Sequence, residues 1–194
     1  MFLSLPESIV VSEPAEEPVT RQEAKDRLNI TDALDDSDID MFIQSGREEA
    51  ESYMERSIIT QDRAMEFNHF PRDLEILMGP VQSVVSITYL DADGNLQTLS
   101  TSNYTLVDGK KKRSWILRAS DVDWPDTYDS ANAVTVTTRN GWGNAASVPA
   151  SIKNAILIAV GHWVRHQASA EGGVPFRMPR QFYDLLDKYK VKRF

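Results

Sequence analysis

The chain of 194 residues contains no cysteine. It can therefore form no disulfide framework, and it has no thiolate to bind zinc or to act as a nucleophile. Long apolar runs are missing as well, since no stretch approaches the roughly 18 residues of a membrane-spanning helix. The N-terminus has no basic region ahead of its short apolar stretches, so a signal peptide is not expected. These absences predict a protein without a membrane partner.

The motifs that usually carry enzymatic chemistry are also missing. Serine-nucleophile elbows, P-loops and dinucleotide-binding loops do not occur in the sequence. Gly141-Trp142-Gly143 lacks the third glycine of a dinucleotide loop and precedes no βαβ unit. Acidic residues are abundant, but nothing in the sequence pairs any two of them into a catalytic constellation. We therefore expect neither an enzyme nor a cofactor.

The acidic and basic residues are unevenly distributed. Residues 1–60 carry 15 Asp and Glu against 5 Lys and Arg, whereas the remaining 134 residues carry 14 acids and 16 bases. The last seven residues carry four bases and no acid. Such asymmetry predicts surfaces suited to different neighbours. It does not favour a broad basic face that would grip nucleic acid.

Helical patterns occur towards both ends of the chain. Residues Thr20–Glu23 have the form of a capping box, and apolar residues then recur at helical spacing over Ile39–Met54. Gly46 lies on that apolar face and would let another backbone approach closely. A second long helix carries apolar residues over Ile152–Val164, and a last amphipathic helix carries them over Phe182–Tyr189. The sequence therefore predicts helices before and after its central region.

The central region has the pattern of antiparallel β structure. Short runs rich in Val, Ile, Thr and aromatic residues are each bounded by turn residues. They are Arg63–Phe70, Leu74–Met78, Val81–Leu90, Leu96–Ser100, Tyr104–Val107, Ser114–Leu117 and Ala133–Thr138. The predicted fold class is therefore α+β, with a helical bundle frame of N-terminal and C-terminal helices and an inserted antiparallel β region.

The predicted division of the chain has four parts. Residues 1–18, with three prolines and four glutamates, form an extended N-terminal arm outside the core, which is either a disordered tail or orders against a partner. Residues 19–60 and 146–190 form the helical domain, and residues 61–145 form the inserted β region. Residues 191–194 form a basic C-terminal tail.

The acidic cluster Asp91-Ala92-Asp93-Gly94-Asn95 raises the question of a calcium site. Counted from Asp91, an EF-hand loop needs Gly at position 6 and Glu at position 12, but Leu96 and Ser102 occupy those positions. Asp-Gly between two alternating runs is instead a strong hairpin signal, because Gly readily adopts the positive φ of a tight turn. We therefore predict a turn and no metal at this cluster.

His162 and His166 are spaced so that two imidazoles of one helix could reach one metal. The metalloprotease pattern requires Glu directly after the first His, and Trp163 occupies that position. Both histidines also fall at the edge of the apolar stripe, where half-buried His commonly lies. A metal-dependent hydrolase that uses this pair stays an alternative, and a β-domain module that binds glycans is another.

Several stretches, taken in order, resemble one known family. They are PVTRQEAKDRLNI, DDSDIDMFIQSGREEAESYMERSIITQ, PVQSVVSITYLDADGNLQTL, VTVTTRNGWGNAASVPASIKNAILIAVGHWVRHQ and VPFRMPRQFYDLLDKYKVKRF. Their order and spacing resemble the head–tail connector (adaptor, head-completion) proteins of tailed bacteriophages, over about residues 18–191. The N-terminal arm is longer and more acidic than is usual in that family. His166-Gln167 stands where the family more usually has an acidic or amide residue and an arginine.

The resemblance implies a structural protein of the virion neck, present in the host cytoplasm during assembly. Such adaptors form a homo-oligomeric ring, usually twelvefold, under the portal protein, and they offer a platform to the next neck or tail protein. Double-stranded DNA passes through the ring, so acidic side chains on the channel would repel its phosphates. We predict that some of the acids near and within the first long helix line or rim the channel. They are Asp32, Asp35, Asp36, Asp38, Asp40, Glu48, Glu51 and Glu55, and the alternative is a solvated helix face.

The C-terminal tail is a candidate contact. Lys188 and Lys190 are explained by the helix dipole, but this effect fades beyond the last turn and does not account for Lys192, Arg193 and Phe194. We predict that Val191, Lys192, Arg193 and Phe194 are mobile in the free subunit and insert against the portal or an adjacent subunit.

Overall fold

The computed structural model describes residues 7–29, 36–107, 113–168 and 177–191. The helices in these residues are α1 (Arg21–Leu28), α2 (Asp36–Met54), α3 (Ala150–Ala168) and α4 (Arg180–Leu186). The strands are β1 (Ser8–Ser12), β2 (Gln61–Phe67), β3 (Leu74–Ile76), β4 (Val81–Leu90), β5 (Leu96–Thr98), β6 (Tyr104–Val107), β7 (Ser114–Arg118) and β8 (Val134–Asn140). The predicted α+β class is confirmed.

The described residues separate into two compact units. Residues 7–15 and 60–142 form the β unit, and residues 16–59 and 143–191 form the helical unit. The helical unit therefore contains two stretches of chain that are far apart in sequence, with residues 60–142 of the β unit between them.

The helical unit begins with a complete capping box. The Thr20 hydroxyl accepts a hydrogen bond from the Glu23 amide at 3.1 Å, and the Glu23 carboxylate accepts one from the Thr20 amide at 2.7 Å. These bonds satisfy two amide groups that the first turn of α1 would leave unpaired. The hydrogen bond from the Thr20 amide also lowers the pKa of the Glu23 carboxyl.

Helices α2 and α3 pack closely through small residues. A Cβ added to Gly46 of α2 would lie 3.2 Å from Cγ2 of Ile156 and 3.6 Å from Cβ of Ala159, both on α3. Ile156 and Ala159 are fully buried at this contact. The close approach predicted from a glycine on the apolar face of α2 is thus confirmed, and its neighbour is α3.

The β unit consists of two antiparallel sheets with one apolar core. The larger sheet has the strand order β1-β2-β8-β4-β5, and the smaller has the order β3-β7-β6. Buried residues from both sheets form the core. They include Met65, Leu74, Ile87, Ile116, Val134 and Val136. The aromatic ring of Phe70 stacks on Trp124, which is half-buried against this core, with ring centroids 5.0 Å apart.

The N-terminal residues differ from the expected arm outside the core. Ser8–Ser12 form β1, which pairs antiparallel with β2 through partners such as Ile9 and Ala64. The Arg63 guanidinium holds this strand by donating to the carbonyl oxygen of Ser8 at 2.6 Å and to its hydroxyl at 2.9 Å. The arm expectation is therefore wrong for these five residues, which form an edge strand because β2 offers them a free backbone edge.

The Asp91–Asn95 cluster is a turn between β4 and β5. The Asp91 carboxylate accepts hydrogen bonds from the amides of Asp93 and Asn95 at 3.1 and 2.9 Å, and the Gly94 amide donates to the Asp91 carbonyl at 2.8 Å. The amide of Asn95 is the largest cause of the lowered pKa of Asp91. The turn prediction is confirmed, and the acidic oxygens bind the chain's own amides.

Gly94 supplies the backbone conformation that this turn needs. Its φ is +84°, and a Cβ placed there would meet Tyr128 at no less than 3.8 Å, which is an ordinary contact. We therefore expect Gly94→Val to lower the free energy of unfolding by about 1–2 kcal/mol through backbone strain alone. Gly94→Asn is the control, since Asn tolerates this region better. Equal urea midpoints for the Val variant and the parent protein would contradict the prediction.

Candidate functional site: assembly surfaces

The acids in the first turns of α2 bind cations of α1. The Arg21 guanidinium binds both Asp36, at 2.7 Å, and Asp40, and Lys25 Nζ lies 2.5 Å from the Asp36 carboxylate. The hydrogen bond from Lys25 is the largest cause of the lowered pKa of Asp36. Both carboxylates still keep about half of their surface exposed, at 53% and 48%. They are therefore available to a neighbouring molecule, although their charge is partly balanced within the chain.

The other predicted channel acids divide into accessible and buried groups. Glu48 is exposed, while Asp38 and Glu55 are half-buried. Asp32 and Asp35 lie outside the described residues. Glu51 is only 4% exposed, so it does not lie on the surface of the subunit and cannot line a channel. The prediction is wrong for Glu51, because its carboxylate is used within the helical unit.

Glu51 closes the C-terminal end of α2. Its carboxylate accepts a hydrogen bond from the Ile58 amide at 2.6 Å and lies 3.4 Å from the guanidinium of Arg47, one turn earlier on the same helix. Ile58 is fully buried, so its amide would otherwise lack water as a partner. The Glu51 side chain thus joins α2 to the chain segment that leaves the helical unit.

Arg47 is a buried cation that the sequence analysis did not single out. It is 3% exposed and donates to the Glu17 carboxylate at 2.9 Å. Burial alone would lower the pKa of Arg47, but the hydrogen bond to Glu17 and the charges of Glu17 and Glu51 outweigh it and raise that pKa. The only sequence feature that points to this buried ion pair is the spacing of Arg47 and Glu51 by four residues. That spacing is equally typical of an exposed pair on a helix.

The C-terminal segment is attached to the end of α2 as far as Val191. The Val191 amide donates to the Met54 carbonyl at 3.0 Å, and Arg56 donates to the Tyr189 carbonyl at 2.5 Å. Val191 is half-buried. The expected mobility of the tail is therefore wrong for Val191, whereas Lys192, Arg193 and Phe194 lie outside the described residues.

Tyr53 adds a polar contact to the same end of the helical unit. Its hydroxyl hydrogen-bonds to the Asp187 carboxylate, and this bond is the main cause that raises the pKa of Tyr53 to about 12. The Lys190 ammonium lies 4.0 Å from the centroid of the Tyr53 ring, and Lys188 donates to the Ser151 hydroxyl at 2.8 Å. The two lysines therefore have partners within the chain besides the helix dipole.

The histidine pair of α3 finds no third ligand among the described residues. His162 is half-buried beside Trp163, whose ring lies 5.9 Å from that of Phe42. The side chain of His166 is outside the described part of the structure. In that part no group of three or more His, Asp or Glu side chains is placed to hold a metal ion.

The helices of the described residues also include none with the length and apolarity of a membrane span.

Solved structures share the fold of this chain at low sequence identity. No family model matches the sequence, and no curated protein matches it significantly. A chain in the virion of a native gene transfer agent particle superposes with a TM-score of 0.78 at 14% identity, over 96% of each chain. A chain in the neck of an empty gene transfer agent particle, computed with C6 symmetry, gives 0.77 at 14% identity over 97% of each chain.

A third structure is the neck of the native gene transfer agent particle, computed with C12 symmetry. Its matching chain gives a TM-score of 0.70 at 16% identity, over 98% of this chain and 97% of that one. At such identities the likeness shows a shared fold, and the shared fold extends over both units. This likeness to chains of virion and neck structures agrees with the resemblance to phage head–tail connectors that the sequence shows.

The burial of Glu51 leads to a stability prediction. We expect Glu51→Ala to lower the free energy of unfolding by about 3 kcal/mol, the lower end for removing one partner of a buried ion pair, because Arg47 keeps Glu17. Glu51→Gln keeps an acceptor for the Ile58 amide and should cost about 1–2 kcal/mol. Glu49→Ala, an exposed change on the same helix, should stay within about 0.5 kcal/mol. Chemical denaturation that gives equal losses for the Ala variants of Glu51 and Glu49 would contradict the burial of Glu51.

Proposed function

We propose that this chain is a structural head–tail connector of a phage-type virion. In this proposal it forms a homo-oligomeric ring, twelvefold as the resemblance implies, beneath the portal protein, and it joins the DNA-filled head to the next neck or tail protein. The observation that carries the proposal is the fold match to chains of virion and neck structures over at least 96% of this chain. The ordered sequence stretches that resemble the adaptor family support it independently.

The chemistry of the surface is consistent with a role in assembly rather than in catalysis. The ion pairs at the start of α2 hold carboxylates against arginine and lysine, and the Asp91 carboxylate is occupied by backbone amides. These carboxylates contribute to local structure, so neither cluster provides the free acid and base that hydrolysis needs. We infer that the protein works through its contacts, as a component of the virion neck.

The acids that can line the channel do not include all of those that the sequence predicts. Glu51 is excluded by its burial, so we propose that the ring exposes some of Asp32, Asp35, Asp36, Asp38, Asp40, Glu48 and Glu55 towards the DNA. Negative charge on the lumen would keep phosphates from adhering and leave the DNA free to move. The acids of the first turn of α2 keep about half of their surface after pairing with α1, which supports this role.

Electron microscopy of the protein mixed with the portal protein of the same virion tests the proposal. We expect a ring of this chain on the portal, with at least some of the accessible α2 acids on the channel wall. A ring that places all of these carboxylates on its outer wall would contradict the channel role alone. Failure to find this chain on the portal under conditions in which both proteins are folded would contradict the connector function.

We propose that residues 192–194, which follow the Val191 hydrogen bond, insert against the portal or an adjacent subunit. Removing residues 192–194 keeps the hydrogen bond between the Val191 amide and Met54, so we expect a nearly unchanged melting temperature. We expect weaker portal binding, with a salt dependence that the truncation reduces, because exposed charges are screened by salt. Lys192→Ala with Arg193→Ala, which keeps Phe194, separates the charge from the aromatic anchor. If the truncated chain binds the portal as tightly as the intact chain at low salt, residues 192–194 have no role in portal binding.

A further inference from the structure

A groove of about 430 Å³ opens on the helical unit between α1, α3 and α4. Leu28, Leu157, Ile158 and Leu185 line it with apolar surface, and Arg27 and Arg165 add two cations. The four apolar residues are half-buried, and Arg27 and Arg165 are exposed. A Cβ added to Gly161 of α3 would lie 2.8 Å from Cδ2 of Leu28. Helix α1 therefore packs directly against α3 beside the groove. An apolar floor with cations suits a partner that carries an apolar side chain beside acids.

The exposed side of α2 has that chemistry. Met41 is 54% exposed and is a large apolar side chain on a helix face that is otherwise polar. One turn further on, Gln44 donates to the Glu48 carboxylate at 2.9 Å, and the Glu48 side chain is 55% exposed. Half-buried Asp38 lies one turn before Met41. This outer face, formed by Asp38, Met41, Gln44 and Glu48, combines one apolar side chain with acids.

The groove and the outer face of α2 lie on opposite sides of the packed helix pair. At about 100° per residue, Asn154, Ile158 and Arg165 lie on the side of α3 opposite Ile156, the residue that contacts α2. By the same geometry, Met41 and Glu48 lie on the side of α2 opposite Gly46 and Ala50, which face inward and are buried. The two surfaces therefore point away from each other and cannot meet within one subunit.

We propose that the outer face of α2 in one subunit binds in the groove of a second copy of this chain. Met41 then lies on the apolar floor, and Glu48 faces the arginines at its border. Two different patches on opposite faces make a heterologous contact, which generates a ring when the rotation closes. The proposal rests on the ring of the proposed function and adds the pair of surfaces that builds it.

This contact and the channel role use different parts of α2. Asp38 and Glu48 belong to the outer face that forms the subunit contact, so Asp36 and Asp40 are the channel candidates of α2 that remain. They lie about 100° or more around the helix from Met41, on the side where Arg21 of α1 binds them. One helix can thus serve a neighbouring subunit and the lumen from two of its faces.

The absence of cysteine from the sequence makes a direct test possible. We introduce Gln44→Cys on the outer face and Asn154→Cys in the groove, both at exposed positions, and treat the protein with a short bis-maleimide, alone and with portal. The double variant should give a ladder of covalent oligomers. Mixing the two single variants should give dimers only, and each single variant alone should stay monomeric. The matched control pairs Gln44→Cys with Thr98→Cys, an exposed residue of β5, and should give no ladder.

Each other outcome of this experiment overturns the pairing. Dimers from Gln44→Cys alone would mean that α2 meets α2 in a symmetric contact. Slow maleimide labelling of Asn154→Cys in the monomer would mean that the chain itself already covers the groove. A ring on the portal by electron microscopy without a ladder would reject the surface pair and leave the connector function standing. If no ring forms on the portal, the proposed function fails and this inference fails with it.

A charge exchange between the exposed residues Glu48 and Arg27 tests the electrostatic part of the contact. We expect Glu48→Arg or Arg27→Glu alone to reduce ladder formation by about fivefold, the size of one exposed ion pair. The combined variant should recover most of the loss, because the opposite charges are again paired across the contact. Circular dichroism melting of each variant checks that the fold is intact. If each single variant reduces ladder formation but the combined variant does not restore it, Glu48 and Arg27 belong to separate contacts.

Discussion

The close packing of α2 against α3 is the constraint on which the helical unit depends. The two helices belong to chain segments separated by residues 60–142 of the β unit, and their mutual burial is the largest contact between the two halves. Gly46 allows the approach, because a larger residue would press on Ile156 of α3. The inner faces of both helices are buried in this contact. Binding surfaces of the unit must therefore lie on the outer faces of α2 and α3, on α1 and α4, or at the helix ends.

Charge has two separate uses in this unit. Towards the buried C-terminal end of α2, Glu51 pairs with Arg47 and also accepts a hydrogen bond from the Ile58 amide. Removing either member of this pair would leave a buried charge with fewer partners and would destabilise the fold. At the exposed start of α2, Asp36 and Asp40 attach α1 while keeping about half of their surface in solvent. Ion pairs of the second kind contribute little to stability. Their carboxylates therefore remain accessible to other charged groups.

The elements were predictable where their signals are local, and the rest required tertiary contacts. The capping box at Thr20, the tight turn at Gly94 and the interhelical glycine at Gly46 each follow from a few adjacent or periodic residues. The strand Ser8–Ser12 was not predicted, because its partner Met65 lies far along the chain and no turn joins them. Glu51 was placed among the channel acids with the other carboxylates of the first long helix. Its burial depends on contacts beyond that helix, above all the hydrogen bond from the Ile58 amide, which the sequence does not reveal.

A ring needs a fixed angle between the two surfaces through which its subunits meet. If those surfaces are the outer face of α2 and the groove beside α3, the angle is set by how α2 and α3 pack. A core packed at van der Waals contact resists small changes of that angle, and the Glu51 bond to the Ile58 amide holds the end of α2 in place. The residues that determine the number of subunits in the ring would then be buried ones such as Gly46 and Ile156. A change at Gly46 would alter the geometry of assembly without touching any residue of the subunit contact.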